Sequence, residues 1–175
     1  GNPEELAAAL CGLEVSVIDD DSSPVGEQTI ALWNPPVTDI DLNRRRSSLV
    51  ESTDLFLDLV RRDVHTIAFA RSRKATELMY RWTRERLPTT ERDLVAPYRG
   101  GYLPEQRRRI EARLFSGQLA GIVATNALEL GIDVGGLDAA LLTSFPGTIA
   151  AFRQQAGRAG RGREESLVTL VGGED

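Results

Sequence analysis

Strands that alternate with helices of ten or more residues predict an α/β domain, a parallel sheet with helices on both faces. Two bulk properties agree with that reading. The chain has 175 residues, enough for one compact domain that buries roughly two-thirds of the surface its unfolded form exposes. Its hydrophobic fraction of 41% is too high for disorder, and no apolar run approaches the ~18 residues of a membrane span, so no membrane partner is expected.

The elements follow in order. Asn2 and Pro3 open a short amphipathic helix over Glu4–Leu10 that Gly12 stops. Val15, Val17 and Ile18 and a turn at Asp19–Pro24 complete an opening that reads as a connector, so residues 1–27 are set apart from a domain over 28–175. Thr29–Trp33 is a predicted strand closed by Asn34-Pro35-Pro36, and Ser47–Arg62 a helix with Leu49, Leu55, Leu57, Leu59 and Val60 as its apolar content. His65–Ala70 is a strand and Lys74–Arg86 the helix after it. Asp93–Pro97 is a strand, and Pro104–Phe115 a helix with proline in its first turn and Gly117 past its end. Leu119–Ala124 and Gly136–Ser144 are strands, Thr148–Gln155 a helix, and Ser166–Val171 the last strand.

Charge and cysteine usage narrow the function classes. Residues 1–43 hold nine acidic residues and no Lys or Arg, so all 21 basic residues lie in the remainder, where they outnumber the acidic ones. A mildly basic body behind an acidic entry suits a domain that touches phosphates with one face. Lys74 is the only lysine; an arginine excess fits Arg-rich codon usage, and it also fits bidentate phosphate recognition. A lone Cys11 excludes an internal disulfide, and one Cys with one His excludes a zinc cluster. No metal site is expected in the chain, and a reduced, cytoplasmic setting is the expectation.

In parallel α/β sheets ligands gather at loops after the carboxyl ends of strands, and three segments assigned to such loops carry unusual residues. Phe69-Ala70-Arg71-Ser72-Arg73-Lys74 runs from a strand end into a helix start with three cations and a hydroxyl. It suits an anion at a helix N-terminus, or a capped helix with solvated cations. Ala124-Thr125-Asn126 leaves another strand, and Gly131-Ile132-Asp133 follows. A threonine hydroxyl and adjacent N–H groups can hold a phosphate and an aspartate a ribose, or the same residues can serve as a cap and a turn acid. Gln154-Gln155-Ala156-Gly157-Arg158-Ala159-Gly160-Arg161-Gly162 sets Arg158 and Arg161 three apart, on one face if the helix continues. Its glycines are expected to allow close approach of another surface. Two arginines that reach a transferring phosphoryl group supply what an arginine finger requires.

On these residues the chain resembles the second RecA-like lobe of a superfamily 2 helicase of the DEAD/DEAH-box type, a P-loop NTPase fold lacking the P-loop itself. Thr66–Arg73 resembles helicase motif IV, Thr125–Asp133 motif V, and Gln154–Arg161 motif VI in its Gln-x-x-Gly-Arg-x-Gly-Arg form. Tyr98-Arg99-Gly100-Gly101-Tyr102-Leu103-Pro104 resembles the nucleic-acid-binding segment of the bacterial DNA-repair helicases related to the eukaryotic RecQ4-like helicase. Where DEAD-box RNA helicases have His-Arg this chain has Gln154-Gln155, which favours DNA.

The resemblance implies a role for each residue. Arg158 and Arg161, with Gln154, would act at the γ-phosphate of ATP, and Asp133 beside Gly131 would contact the nucleotide ribose. Arg71, Arg99, Gly100, Gly101, Thr125 and Asn126 would contact nucleic-acid phosphates. ATP and Mg²⁺ would be held mainly by a first lobe, the lobe partner in the same protein, because no Gly-x-x-x-x-Gly-Lys-Ser/Thr precedes Lys74 and no Asp-Glu-x-His box is present. The implied function is the second motor lobe of an ATP-dependent DNA helicase or translocase acting on single-stranded or partly duplex DNA in DNA repair, in the cytoplasm of a bacterium at its nucleoid; alone the lobe would not hydrolyse ATP. The rival is a nucleic-acid-binding or interaction module that kept the fold and lost the ATPase.

Overall fold

The computed structural model of the chain describes residues 2–18, 26–125, 137–160 and 165–173. Its centre is a six-stranded sheet: β1 (Gln28–Trp33), β4 (Thr66–Phe69), β5 (Val95–Tyr98), β6 (Gly121–Ala124), β7 (Ala139–Leu142) and β8 (Ser166–Val171), in the order β1-β8-β7-β4-β6-β5. Every pairing is parallel. The predicted sheet is therefore the observed one, with boundaries shifted by a residue or three.

The core shows why these segments are strands. Ile67, Phe69, Ile122, Ala124, Ala140 and Leu142 face one layer, which holds Ile110 and Leu114 of α4 (Pro104–Phe115) and Phe152 and Ala156 of α5 (Ile149–Ala156). Ala68, Val123 and Leu141 alternate with them and face the other layer, with Phe56, Leu57 and Val60 of α2 (Ser48–Arg61) and Met79 of α3 (Arg73–Arg86). A strand buried on both faces needs an unbroken apolar run, and side chains of period two then divide between the layers. Gly121 marks the closest helix–sheet approach: a Cβ there would lie 2.6 Å from the Phe56 ring and 2.7 Å from Val60.

Three features depart from the sequence reading. The strand expected over Asp93–Pro97 starts at Val95, after a 3₁₀ turn at Arg92–Leu94; it is an edge strand bonded only to β6, where Pro97 can stand without an N–H. A hairpin of β2 (Val37–Asp39) and β3 (Arg44–Arg45) was not expected, because strands of two and three charged or exposed residues carry no apolar alternation. The third is a buried acid, Glu51, to which Trp33 donates its indole N–H at 3.0 Å. Arg46 of the Arg44–Arg46 run pairs with the same buried Glu51 at 2.8 Å and with Asp54, to which Arg86 also bonds. That network ties β1, the hairpin, α2 and α3 together.

The helix α1 (Pro3–Cys11) buries none of its side chains. No helix among the described residues is long and apolar enough to cross a membrane.

Candidate functional site

All six strands point the same way, so the sheet has a carboxyl edge and an amino edge. At the carboxyl edge, β4 runs out through Ala70, whose N–H donates to Ala124 O at 2.8 Å. Ser72 then caps α3 by accepting the Ala75 N–H at 3.1 Å, which leaves Arg71 and Arg73 exposed on either side of the cap. β5 ends beside them. Arg99 pairs with Glu77 of α3 at 2.6 Å and lies 4.8 Å from the Tyr102 ring centre, and the hydrogen bond to Glu77 raises the guanidinium's already high pKa. Gly101 turns with φ 96°. The Arg73 guanidinium lies 3.6 Å and 4.0 Å from the places a Cβ on Gly100 or Gly101 would fill. Thr125, buried, donates its N–H to Tyr98 O at 3.1 Å.

The structure thus gathers Arg71, Arg99, Gly100, Gly101 and Thr125 at one edge and adds Arg73, which the residue assignment passed over although it lies in the same motif. The signal was available: Arg73 opens the helix, where a cation stands beside whatever anion the N-terminus attracts. Strand order reverses between β4 and β7, and a cavity of about 190 Å³ opens there, lined by Phe69, Ala70, Arg71, Thr143, Gly147 and Gln155 among others. Such switch points are where open α/β sheets bind ligands. This one is smaller than the roughly 300 Å³ at which small-molecule pockets begin, so it suits a phosphate group rather than a nucleotide. A groove of about 530 Å³ along α3, between Lys74, Leu78, Arg81 and Arg92, holds none of the predicted site residues.

Within the third predicted segment the turn over 157–160 lies elsewhere, which corrects the sequence reading. α5 begins after the carboxyl end of β7, capped by Thr148 through the Ala151 N–H at 3.1 Å, and runs back toward the amino edge. There Gly160 N–H donates to Leu137 O at 3.0 Å, just before β7 starts. The Gln28 amide at the start of β1 donates to Ala156 O at 3.3 Å and Ala159 O at 3.4 Å. The physical reason is the helix itself: it carries the chain from one edge to the other, so only its start is a carboxyl-edge loop.

Glycine also serves another purpose here than expected. Gly160 has φ 78°, and a Cβ on it would meet the Ser166 hydroxyl and lie 2.7 Å from the Ser166 Cβ. The missing side chain admits β8 of the same domain, not an outside surface. Arg158 is half-buried in this turn, its N–H donating to Gln155 O at 3.2 Å. Gln154 is exposed and Gln155 buried. Sequence reasoning missed Gln155, although Phe152, Gln155, Ala156 and Ala159 fall at the i, i+3, i+4, i+7 spacing of a core-facing stripe. Arg161, Asp133, Gly131 and Asn126 lie outside the described residues. Among the described residues no group of three or more His, Cys, Asp or Glu converges as a metal cage.

Comparison with known proteins places this geometry. The family model described as the helicase conserved C-terminal domain matches residues 50–163. The chain is 42% identical over 174 residues to the uncharacterized ATP-dependent helicase YprA of Bacillus subtilis, covering 97% of this chain and 23% of that protein. It is 43% identical over 162 residues to the ATP-dependent helicase HRQ1 of Saccharomyces cerevisiae, covering 90% of this chain and 15% of the yeast protein. Among solved structures, the DUF1998 helicase MrfA bound to DNA superposes with a TM-score of 0.94 at 41% identity, over 100% of this chain and 24% of MrfA; with DNA and AMPPNP bound, MrfA superposes at 0.92 and 38% identity. The chain therefore spans at most about a quarter of the length of these relatives.

Proposed function

Because this chain belongs to the helicase conserved C-terminal domain family, we propose that it is the second, RecA-like motor lobe of an ATP-dependent DNA helicase or translocase. The observation that carries the reading is the division of labour across one sheet. Cations and backbone turns crowd the carboxyl edge, while an arginine-bearing turn is clamped at the amino edge. A motor that couples a nucleotide to a polymer needs two such sites on one rigid body. MrfA with DNA and AMPPNP, which this chain matches over its full length, is bound to ligands of both kinds.

In this reading Arg71, Arg73, Arg99 and the Gly100–Gly101 turn hold phosphates of single-stranded DNA, joined by Thr125 and Asn126. Contact with phosphates implies weak sequence preference and strong salt dependence. Arg158 and Arg161 face the γ-phosphate across the interlobe cleft and neutralise the charge that develops on its oxygens. Gln154, exposed on α5, meets the first lobe, and Asp133 beside Gly131 meets the ribose. The first lobe supplies the phosphate loop and the Mg²⁺ ligands, and residues 1–27 connect the two lobes. ATP hydrolysis supplies the energy of lobe opening; this lobe's residues bind, orient and neutralise.

The test uses the protein with both lobes and compares DNA-stimulated ATPase before and after Arg161→Ala and Arg158→Ala. Loss of an arginine finger lowers turnover on the order of 10³-fold or more. A loss below about threefold for Arg161→Ala would remove that residue from the mechanism, and a wild-type protein without DNA-stimulated turnover would leave the inactive-module reading in its place.

A further inference from the structure

The two candidate sites stand at opposite edges of the sheet, and one side chain reaches from one toward the other. Gln155 belongs to α5, and its carbonyl accepts the Arg158 N–H at 3.2 Å, so it is one hydrogen bond from the arginine turn. Side chains on a helix lean toward its N-terminus, which here lies at the carboxyl edge. The Gln155 side chain follows that direction: it is 6% exposed and lines the cavity between β4 and β7 together with Arg71, Thr143 and Gly147.

We propose that Gln155 is a positioning residue that couples occupancy of the carboxyl-edge phosphate site to the orientation of the Arg158 turn. The proposal rests on the helicase reading. A phosphate arriving beside Arg71 changes the charge and hydrogen bonding at the cavity end of the side chain. A buried amide must keep its hydrogen bonds, so Gln155 follows its partners rather than turning to water. Its backbone moves with the last turn of α5, which Gln28 holds by two long bonds of 3.3 and 3.4 Å, while Gly160 stays fixed against Ser166. The segment between them carries Arg158. Gln154, one residue earlier and exposed, has no such reach into the sheet.

The experiment compares wild type, Gln155→Met and Gln155→Leu in the two-lobed protein. Met keeps the length and loses the hydrogen bonding; Leu loses it with a different shape and no added charge, and serves where Met packs badly. ATPase is measured without DNA and with saturating oligo-dT, and oligo-dT affinity is measured with and without AMPPNP. The expected result is unstimulated turnover within about twofold of wild type, with stimulation at saturating oligo-dT reduced roughly tenfold. Reciprocity of linkage requires the effect of AMPPNP on DNA affinity to shrink as well. Stimulation and linkage intact in both variants overturn the coupling, as does an equal fall in unstimulated and stimulated turnover, the mark of a merely structural residue. A wild-type enzyme indifferent to DNA overturns the helicase reading and the coupling together.

Discussion

The two edges of the sheet are built on opposite principles. At the carboxyl edge the chemistry sits on side chains, the exposed Arg71 and Arg73 and the half-buried Arg99, carried by turns that meet where the Arg73 guanidinium reaches Gly100 and Gly101 and the Thr125 N–H bonds Tyr98 O. At the amino edge the backbone itself is pinned at Gly160, bonded to Leu137 and packed on Ser166, while Gln28 reaches the carbonyls of Ala156 and Ala159 by longer bonds. A surface that follows a polymer of variable sequence needs charge and reach. A turn that must aim one guanidinium at one phosphoryl group needs a defined backbone, because misplacement by about 1 Å can cost on the order of 10² in rate.

The contrast is sharpest in Gly160. Replacing it with alanine adds a Cβ at φ 78° with no room against Ser166. Overpacking and the left-handed backbone together should lower unfolding free energy by about 2–3 kcal/mol, read by urea denaturation. Gly157, at φ −68° and with only carbonyls of its own helix near a Cβ position, Arg153 at 3.1 Å and Gln154 at 4.0 Å, should tolerate alanine at a cost of less than about 1 kcal/mol. Equal costs at the two positions would mean that the amino-edge turn is not pinned at Gly160.

A smaller effect tests the other edge. Arg73→Ala and Arg99→Ala should each weaken oligo-dT binding by the protein with both lobes. Each should flatten the slope of log affinity against log salt by roughly 0.7, the value for one phosphate contact to a single strand. Arg158→Ala should leave that slope unchanged. A slope that moves with Arg158 and not with Arg73 would exchange the roles of the edges.

Sequence carried the sheet and the motif order because both are local signals: buried parallel strands are short apolar runs, and each motif is contiguous. It did not carry the edge to which each motif belongs. The segment over 154–162 reads in sequence as a carboxyl-edge loop, and only the direction of α5 shows that its turn over 157–160 stands at the amino edge. Nor could sequence show that Gly160 is empty for the sake of Ser166, a contact set by the meeting of α5's end with β8. Glu51 was equally hidden. An acid in the first turn of a helix ordinarily faces water near the positive dipole end, and here the indole of Trp33 and the guanidinium of Arg46 turn it inward. Gln155 was legible in principle, since its apolar neighbours at helical spacing mark the face it shares.

The finest test of the comparison is at Tyr98, the last residue of β5, whose carbonyl holds Thr125. Its hydroxyl donates to Glu111 of α4 at 2.8 Å, and burial, with that bond, pushes the phenol up to about 12. A phenol whose folded pKa is raised contributes stability that is fully present below its ordinary value of about 10. That contribution is lost as pH climbs from there toward about 12. Tyr98→Phe should therefore cost roughly 1 kcal/mol at neutral pH, the worth of one hydrogen bond, and its stability should fall less steeply than that of wild type above pH 10. Oligo-dT affinity at neutral pH should stay within about twofold, because the Thr125 N–H bonds a backbone carbonyl that phenylalanine retains. A larger stability loss than that of Gly160→Ala would show the carboxyl edge to be the more tightly built of the two, and would reverse the assignment of reach to one edge and fixity to the other.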